Sequence, residues 1–123
     1  MNEWIVLYVL TAHFIADFVF QKTKTGLMKS KDNVILLSHV ITYVVILAIL
    51  MVPVLGLHGW GQGAGLYALV NGVLHFPTDF ISSRLSSKYY KEGRLYAFWK
   101  VIGLDQLAHY AGLFLTLPYF LPQ

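Results

Sequence analysis

The chain has 123 residues, of which 57% are hydrophobic and 12% are charged, and its mean hydropathy is +0.61. This composition argues against an ordinary soluble domain and a disordered chain, and it favours a single integral membrane domain. The sequence contains no cysteine, which excludes disulfides and thiolate metal sites, so any metal would be held by imidazole, carboxylate or water.

Four apolar runs are predicted to be transmembrane helices, at 4–20, 34–57, 66–81 and 101–121. At about 1.5 Å per residue the first run spans roughly 25 Å, which makes a short helix. It lacks the basic leader and the cleavage site of a signal peptide. Pro77 lies within the third run and is expected to kink it. The sequence therefore predicts an all-α fold in one domain, a polytopic membrane four-helix bundle.

All nine Lys and Arg residues lie in two connections, 21–33 and 82–100. The positive-inside rule predicts that both connections are cytoplasmic, 21–33 as a loop and 82–100 as an interfacial helix or loop, and that both termini lie outside. The connection 58–65 is rich in glycine but contains no Lys or Arg. Because no strand precedes it either, we expect a flexible turn rather than a phosphate-binding loop, with His58 as an ordinary exposed histidine.

Acidic and imidazole side chains recur four residues apart in these runs, a spacing that puts each pair on one face of a helix. The seven candidate residues are His13, Asp17, His39, His75, Asp79, Asp105 and His109. Each Asp lies five positions from the nearest Lys or Arg, three of the His lie nine positions from it, and His39 lies eight. At about 1.5 Å per residue these counts place the Asp layer roughly 7 Å, and the His layer roughly 13 Å, from the charge boundary. Four helices are thus expected to supply one stacked His/Asp cluster.

Three carboxylates inside a membrane need a compensating charge, because an Asp at the centre of a helix costs about 2.5 to 3.5 kcal/mol. No Lys or Arg lies within the predicted spans, so we expect protonated His, bound protons or metal to supply it. Two Zn²⁺ ions with three carboxylates, four neutral imidazoles and a bridging hydroxide would be neutral, and Mn²⁺ or Fe²⁺ are alternatives. A proton or ion relay and purely structural polarity stay open as other readings.

Three further polar residues extend the same helix faces. They are Gln21, Asn71 and Gln106. Each is expected either to orient a ligand by a hydrogen bond or to act as an ordinary interhelical hydrogen-bonding group.

Four motifs carry a family resemblance: His13-Phe-Ile-Ala-Asp17-Phe-Val-Phe-Gln21, Ser38-His39, His75-Phe-Pro-Thr-Asp79 and Asp105-Gln-Leu-Ala-His109. In this order they resemble the small phage and bacterial membrane proteins called domain of unknown function 3307. That resemblance implies an integral protein of a bacterial inner membrane, phage-encoded in some cases, without an established activity. The His/Asp pairs alone are more remotely similar to the inner-membrane proteins described as metal-dependent hydrolases and to the zinc phospholipase C and P1 nuclease group. That group implies a zinc cluster that cleaves phosphoesters.

Together these observations predict a membrane-embedded, metal-dependent hydrolase of a lipid or nucleotide-like phosphoester at the cytoplasmic leaflet. The metal would activate water, and the candidate catalytic residues are Asp17, Asp79 and Asp105, one of which would act as general base. The basic connections would attract anionic membrane lipids and an anionic substrate; no specific nucleic-acid readout is expected, and an oligomer is compatible with the sequence. The alternatives are a proton or metal-ion conduit and a non-enzymatic phage or host accessory protein with a structural metal site.

Overall fold

The computed structural model describes residues 1–56 and 63–122, and within them the fold is all-α, with no strand. The elements in chain order are α1 (Glu3–Phe14), a π-helical turn (Ile15–Val19), α2 (Thr23–Met28), α3 (Asn33–Leu55), α4 (Ala64–Lys91), α5 (Leu95–Thr116) and a 3₁₀ turn (Leu117–Tyr119). The predicted all-α class is confirmed.

Local chemistry sets the ends of these helices. Asn2 caps α1 by accepting a hydrogen bond from the Ile5 amide at 3.0 Å, and Asp32 caps α3 by accepting one from the Val34 amide at 2.8 Å. A turn at 92–94 joins α4 to α5, and Gly93 takes a φ of 69° there. Such a left-handed conformation favours glycine because it has no Cβ.

The helix boundaries differ from the predicted ones in both basic connections. The connection 82–100, predicted as an interfacial helix or loop, is helical except at 92–94, since α4 continues to Lys91 and α5 begins at Leu95. Ser83 and Ser86 explain the extension, because these small polar residues are buried and prolong the inward face of α4. The predicted loop 21–33 contains the short helix α2.

One more helix prediction needs adjustment. The first run is α-helical only as far as Phe14, after which the helix widens into the π-helical turn that carries Asp17. Pro77 lies inside α4, as predicted, and the kink expected there stays a prediction. The predicted end of the second run at residue 57, and the glycine-rich connection with His58 up to residue 62, lie outside the described residues.

One apolar core joins α1, α3, α4 and α5. Among its fully buried members are Val9, Leu47, Tyr67 and Leu113. Gly72 allows α4 to pack closely against α3, because a Cβ atom at this position would clash with the side chain of Val44. The core thus lies between the four long helices and fixes their mutual positions.

In the described part of the chain, α3 is the one helix long and apolar enough to cross a membrane by length and composition. The continuous α-helical part of α1 has 12 residues, and α4 carries Asp79 together with Arg84, Lys88 and Lys91. By this measure the predicted set of four membrane spans is not confirmed.

Candidate metal centre

The structure brings all seven predicted ligands into one cluster at the end of the helices next to α2. Six of the side chains are buried and Asp105 is partly buried. Each helix contributes on its inward face: α1 and its π-helical turn supply one His/Asp pair, α3 one His, and α4 and α5 one pair each. The spacing of four residues in the sequence is what turns each pair toward the same point.

Four ligand atoms converge in a first set. His39 Nε2 lies 3.1 Å from Asp17 Oδ1, 3.3 Å from Asp79 Oδ2 and 3.3 Å from His75 Nε2. His75 Nε2 lies 3.5 Å from each of the same two carboxylate oxygens. With bonds of about 2.0 to 2.1 Å to zinc, the edges of a ligand tetrahedron are about 3.3 to 3.4 Å long. The five distances that involve a nitrogen atom are therefore close to those between the ligands of one tetrahedral ion.

A second set adjoins the first and shares carboxylates with it. His109 Nε2 lies 3.3 Å from Asp79 Oδ1 and 3.3 Å from Asp105 Oδ2. Asp17, Asp105 and His109 can each direct one ligand atom to a common point, with these atoms within 4.8 Å of one another. His13 Nε2 is 3.6 Å from Asp17 Oδ2, at the margin of this set. The two oxygens of Asp79 thus face different imidazoles, Oδ2 those of His39 and His75 and Oδ1 that of His109.

Lys29 changes the charge of the cluster. It follows α2, and its Nζ lies 2.8 Å from Asp79 Oδ2, the oxygen that faces the first set. Three carboxylates and one ammonium leave a charge of −2 with neutral imidazoles (−3 + 1 = −2). The expectation that only His⁺, protons or metal would offset the carboxylates is therefore wrong. Sequence reasoning missed Lys29 because this residue lies outside the apolar runs.

Gln106 lies among the ligands, as its helix face predicts. Its Nε2 donates to Asp17 Oδ2 at 3.3 Å and to Asp105 Oδ2 at 3.0 Å, while its Oε1 lies 3.1 Å from His13 Nε2. One amide thus fixes the orientation of two carboxylates and one imidazole. A group of this kind typically strengthens metal binding by holding the ligands in place.

The other two polar candidates lie elsewhere. Asn71 donates to the Tyr67 carbonyl at 3.0 Å and to Thr116 Oγ1 at 3.1 Å, and among the described residues it forms no hydrogen bond with a candidate ligand. Of its two predicted roles, the structure shows the interhelical hydrogen bond. Gln21 lines a cavity beside the cluster, and its Oε1 is buried without a hydrogen-bond partner among the described residues.

Two further residues at the site were not predicted. The Tyr43 hydroxyl lies 3.1 Å from His13 Nδ1, and its ring stacks on that of His75 with centroids 4.2 Å apart. Ser82 Oγ donates to Asp105 Oδ1 at 2.5 Å. Tyr43 lies four residues after His39, so its spacing on α3 was an available signal. Ser82 lies in the connection 82–100, which the sequence predicts as an interfacial helix or loop, so its place on the inner face of α4 is not evident from the sequence.

A cavity of about 340 Å³ adjoins the cluster on the α2 side. Its lining includes Asp17, Asp105, Gln106 and Lys29 from the site, together with serines of α4. A small molecule in this cavity would therefore contact carboxylates of both ligand sets and the ammonium group beside them.

Comparison with known proteins gives one match. Residues 5–121 match the family described as "Protein of unknown function (DUF3307)". No curated protein and no solved structure matches the chain. The more remote resemblance to metal-dependent hydrolases and to the zinc phospholipase C and P1 nuclease group is thus not shown, and the activity has to be inferred from the cluster itself.

Proposed function

The chain belongs to the DUF3307 family, as its four motifs predict, and from that premise we propose that it is a membrane-embedded, metal-dependent hydrolase of phosphoesters. The observation that carries the proposal is the first ligand set, in which two imidazole nitrogens lie 3.3 Å apart and each lies 3.1 to 3.5 Å from the same two carboxylate oxygens. Nitrogen and oxygen donors at this spacing suit Zn²⁺, with Mn²⁺ or Fe²⁺ as alternatives.

The cluster offers candidate ligands for two metal ions. Asp17 belongs to both ligand sets, and the second oxygen of Asp79 faces His109, so these residues would help to hold two ions. Two-metal sites of this kind, with ions about 3.5 to 4 Å apart, are common in enzymes that cleave phosphoesters. Two divalent ions added to a cluster of charge −2 would leave about +2, a charge that attracts an anionic phosphoester rather than a neutral ester.

The side chains have separable tasks in hydrolysis. Bound divalent ions would supply Lewis-acid stabilisation of the phosphoester oxygens and acidify a water molecule. Asp105 is the most accessible carboxylate of the cluster and lines the cavity, so it is the proposed general base for that water. The Ser82 hydroxyl and the Gln106 amide hold its two oxygens.

In the proposed hydrolysis Asp105 first accepts and then returns one proton. The water oxygen bonds to phosphorus, its proton passes to Asp105, and the ester P–O bond breaks with its electron pair on the leaving oxygen. Asp105 returns the proton to that oxygen, so the products are a phosphate and an alcohol. The Lys29 ammonium, in the same cavity lining, is placed to bind a non-bridging phosphate oxygen.

Exposed side chains support the membrane part of the proposal. Large apolar residues cover the outer faces of α1, α3, α4 and α5, while the ionisable residues of the cluster point inward. Among the exposed residues are Trp4, Leu7, Val34, Ile41, Ile49, Val73, Leu104 and Leu115. An outer surface of this kind is suited to lipid, and the basic residues near α2 and at the α4–α5 turn would then mark the cytoplasmic side.

The test is a variant that removes the negative charge of the Asp79 side chain. Asp79→Asn keeps the size of the side chain, so the protein should still be extracted from membranes by detergent. Metal content and hydrolysis of phosphoesters should fall together, each by more than about 100-fold, because loss of a ligand exceeds the 10- to 100-fold cost of losing a group that only orients one. Elemental analysis and phosphate release measure the two quantities.

Asp32→Asn is the matched control, since it removes an exposed carboxylate but keeps a good helix cap for α3. It should retain metal and activity. An Asp79→Asn protein with full metal content and full activity would refute the hydrolase proposal. Recovery of the unaltered chain in the soluble fraction without detergent would refute its membrane part.

A further inference from the structure

We propose that the cavity beside the cluster binds a phosphate monoester carried on an apolar chain, with Ser83 as a hydroxyl donor to the phosphate. The inference rests on the proposed function and names its substrate class. Three properties of the cavity point to it: a buried hydroxyl without a partner, a cationic group, and an apolar rim at the surface.

Ser83 is the first observation. It lines the cavity, it is only 7% exposed, and its Oγ forms no hydrogen bond with any residue that the structure describes. Its neighbours on α4 are engaged, because Ser82 donates to Asp105 and Ser86 donates to the Ser83 carbonyl. Buried hydroxyls nearly always have a partner. A ligand oxygen in the cavity would provide one for Ser83.

The position of Ser83 indicates which part of a ligand it would bind. It lies four residues after Asp79 and therefore on the same face of α4, one helical turn nearer the basic end. Lys29, which is paired with Asp79, also lines the cavity. A hydroxyl and an ammonium near two candidate metal sites form a suitable environment for the oxygens of one phosphate group.

The charge of the metal-loaded cluster favours a phosphate monoester over a phosphate diester. With two divalent ions the cluster and Lys29 together carry about +2, which a monoester dianion would neutralise and a diester monoanion would not. Gln21 Oε1, a second buried acceptor without a described partner in this lining, would accept a hydrogen bond from a hydroxyl group next to the phosphate.

The apolar rim accounts for the chain of the substrate. Phe18 and Leu27 line the cavity and are 44% and 70% exposed, while Phe98 and Ile102 line it from α5. The cavity therefore reaches the outer surface between the π-helical turn and α2, where the proposed orientation places lipid. A substrate could keep its apolar chain in the bilayer while its phosphate group enters the site sideways.

Dodecyl phosphate is a suitable probe, with inorganic phosphate and dodecylphosphocholine as comparisons. Binding to the zinc-loaded, detergent-purified chain is measured by calorimetry. We expect dodecyl phosphate to bind at least about ten-fold more tightly than either comparison, since one lacks the apolar chain and the other lacks the second negative charge. Equal binding of all three would overturn the proposal.

Ser83→Ala should weaken binding of dodecyl phosphate by about ten-fold or more, as expected for a hydrogen bond to a charged group. The ligand-free protein should melt at the same or a higher temperature, because the change removes an unsatisfied buried hydroxyl. This opposite effect on binding and stability distinguishes a ligand contact from a structural one. Ser38→Ala, on an exposed face of α3 outside the cavity lining, should change neither quantity.

A second variant tests the apolar rim. Leu27→Ser should weaken dodecyl phosphate and leave inorganic phosphate unaffected, and it should not disturb folding because Leu27 is exposed. Unchanged dodecyl phosphate binding in both Ser83→Ala and Leu27→Ser would refute the cavity assignment. If dodecyl phosphate binds as expected but no phosphoester is hydrolysed, the hydrolase proposal fails and the binding site stands. If soluble phosphoesters are hydrolysed but dodecyl phosphate is not preferred, the hydrolase proposal stands and the assignment of this cavity fails.

Discussion

The two ends of the bundle are equally buried but chemically opposite. At one end Leu47, Met51 and Leu113 are fully buried and need only close packing with their neighbours. At the other end His75 and Asp79 are buried to the same degree, but a buried charge needs a partner of opposite sign. The same four helices thus carry an apolar end that packing alone stabilises and a polar end in which three carboxylates lie among one ammonium group and four imidazoles.

This contrast also bears on the conduit alternative. A proton or ion path would need polar groups along the whole bundle, but beyond the cluster the core consists of apolar side chains such as Val9, Leu47 and Leu113. The polar group that lies there, Asn71, is occupied by Tyr67 and Thr116. Between the two alternatives, the arrangement of the described residues therefore favours a site that is open at one end, not a path through the protein.

The largest expected effect on stability comes from the apolar end. Leu47→Ala should lower the free energy of unfolding by about 2 to 5 kcal/mol, because it leaves a cavity in a closely packed core. Metal content per folded chain should stay the same if the two ends are independent. Leu37→Ala, at an exposed position of the same helix, is the control and should cost much less. Loss of metal from folded Leu47→Ala protein would show that the ends are coupled.

At the polar end we expect a smaller effect, and we expect it on metal affinity rather than on stability. Gln106→Leu removes the amide that holds two carboxylates and one imidazole, so metal affinity should fall by about 10- to 100-fold in a competition titration with a chelator. Asn71→Leu is the matched change at the apolar end and should leave metal affinity unaltered. If the two variants bind metal equally well, the polar end is not organised around an ion.

The smallest effect is expected at the boundary between the ends. Tyr43→Phe removes the hydroxyl that contacts His13 and keeps the ring that packs in the apolar core. We expect a stability loss of about 1 kcal/mol, the usual contribution of one hydrogen bond, and a measurable decrease in metal affinity. Tyr67→Phe loses a comparable hydrogen bond to the Leu113 carbonyl and should lower stability alone. Chemical denaturation and metal titration of both variants separate the two effects.

The sequence predicts the polar end well where periodicity governs it. His13 and Asp17, like His75 and Asp79, are four residues apart, and that spacing alone aligns each pair on a helix face. Counting from the nearest basic residue then brings the pairs to one level, because the helices have a constant rise per residue. These two regularities, together with the depth of His39, are enough to place all seven candidate residues at one end of the bundle.

Other features depend on tertiary packing and are invisible to periodicity. The extension of α4 beyond residue 81 follows from Ser83 and Ser86, which resemble loop residues in the sequence but are buried against neighbouring helices. The contact of Lys29 with Asp79 spans 50 positions of the chain and depends on how α2 folds against the bundle. The π-helical turn at Ile15–Val19 has no pattern that distinguishes it from the α-helix before it.

The contact between Lys29 and Asp79 has a consequence for the biogenesis of the protein. The ammonium group lies 2.8 Å from an oxygen that would bind an ion. A newly synthesised chain therefore carries a positive group of its own at this point and can complete helix packing before any ion is available. If the cluster binds an ion as proposed, the incoming ion would displace the lysine from Asp79. The timing of maturation would be governed by the release of one side chain, and assembly in a metal-poor cell would still give a folded precursor.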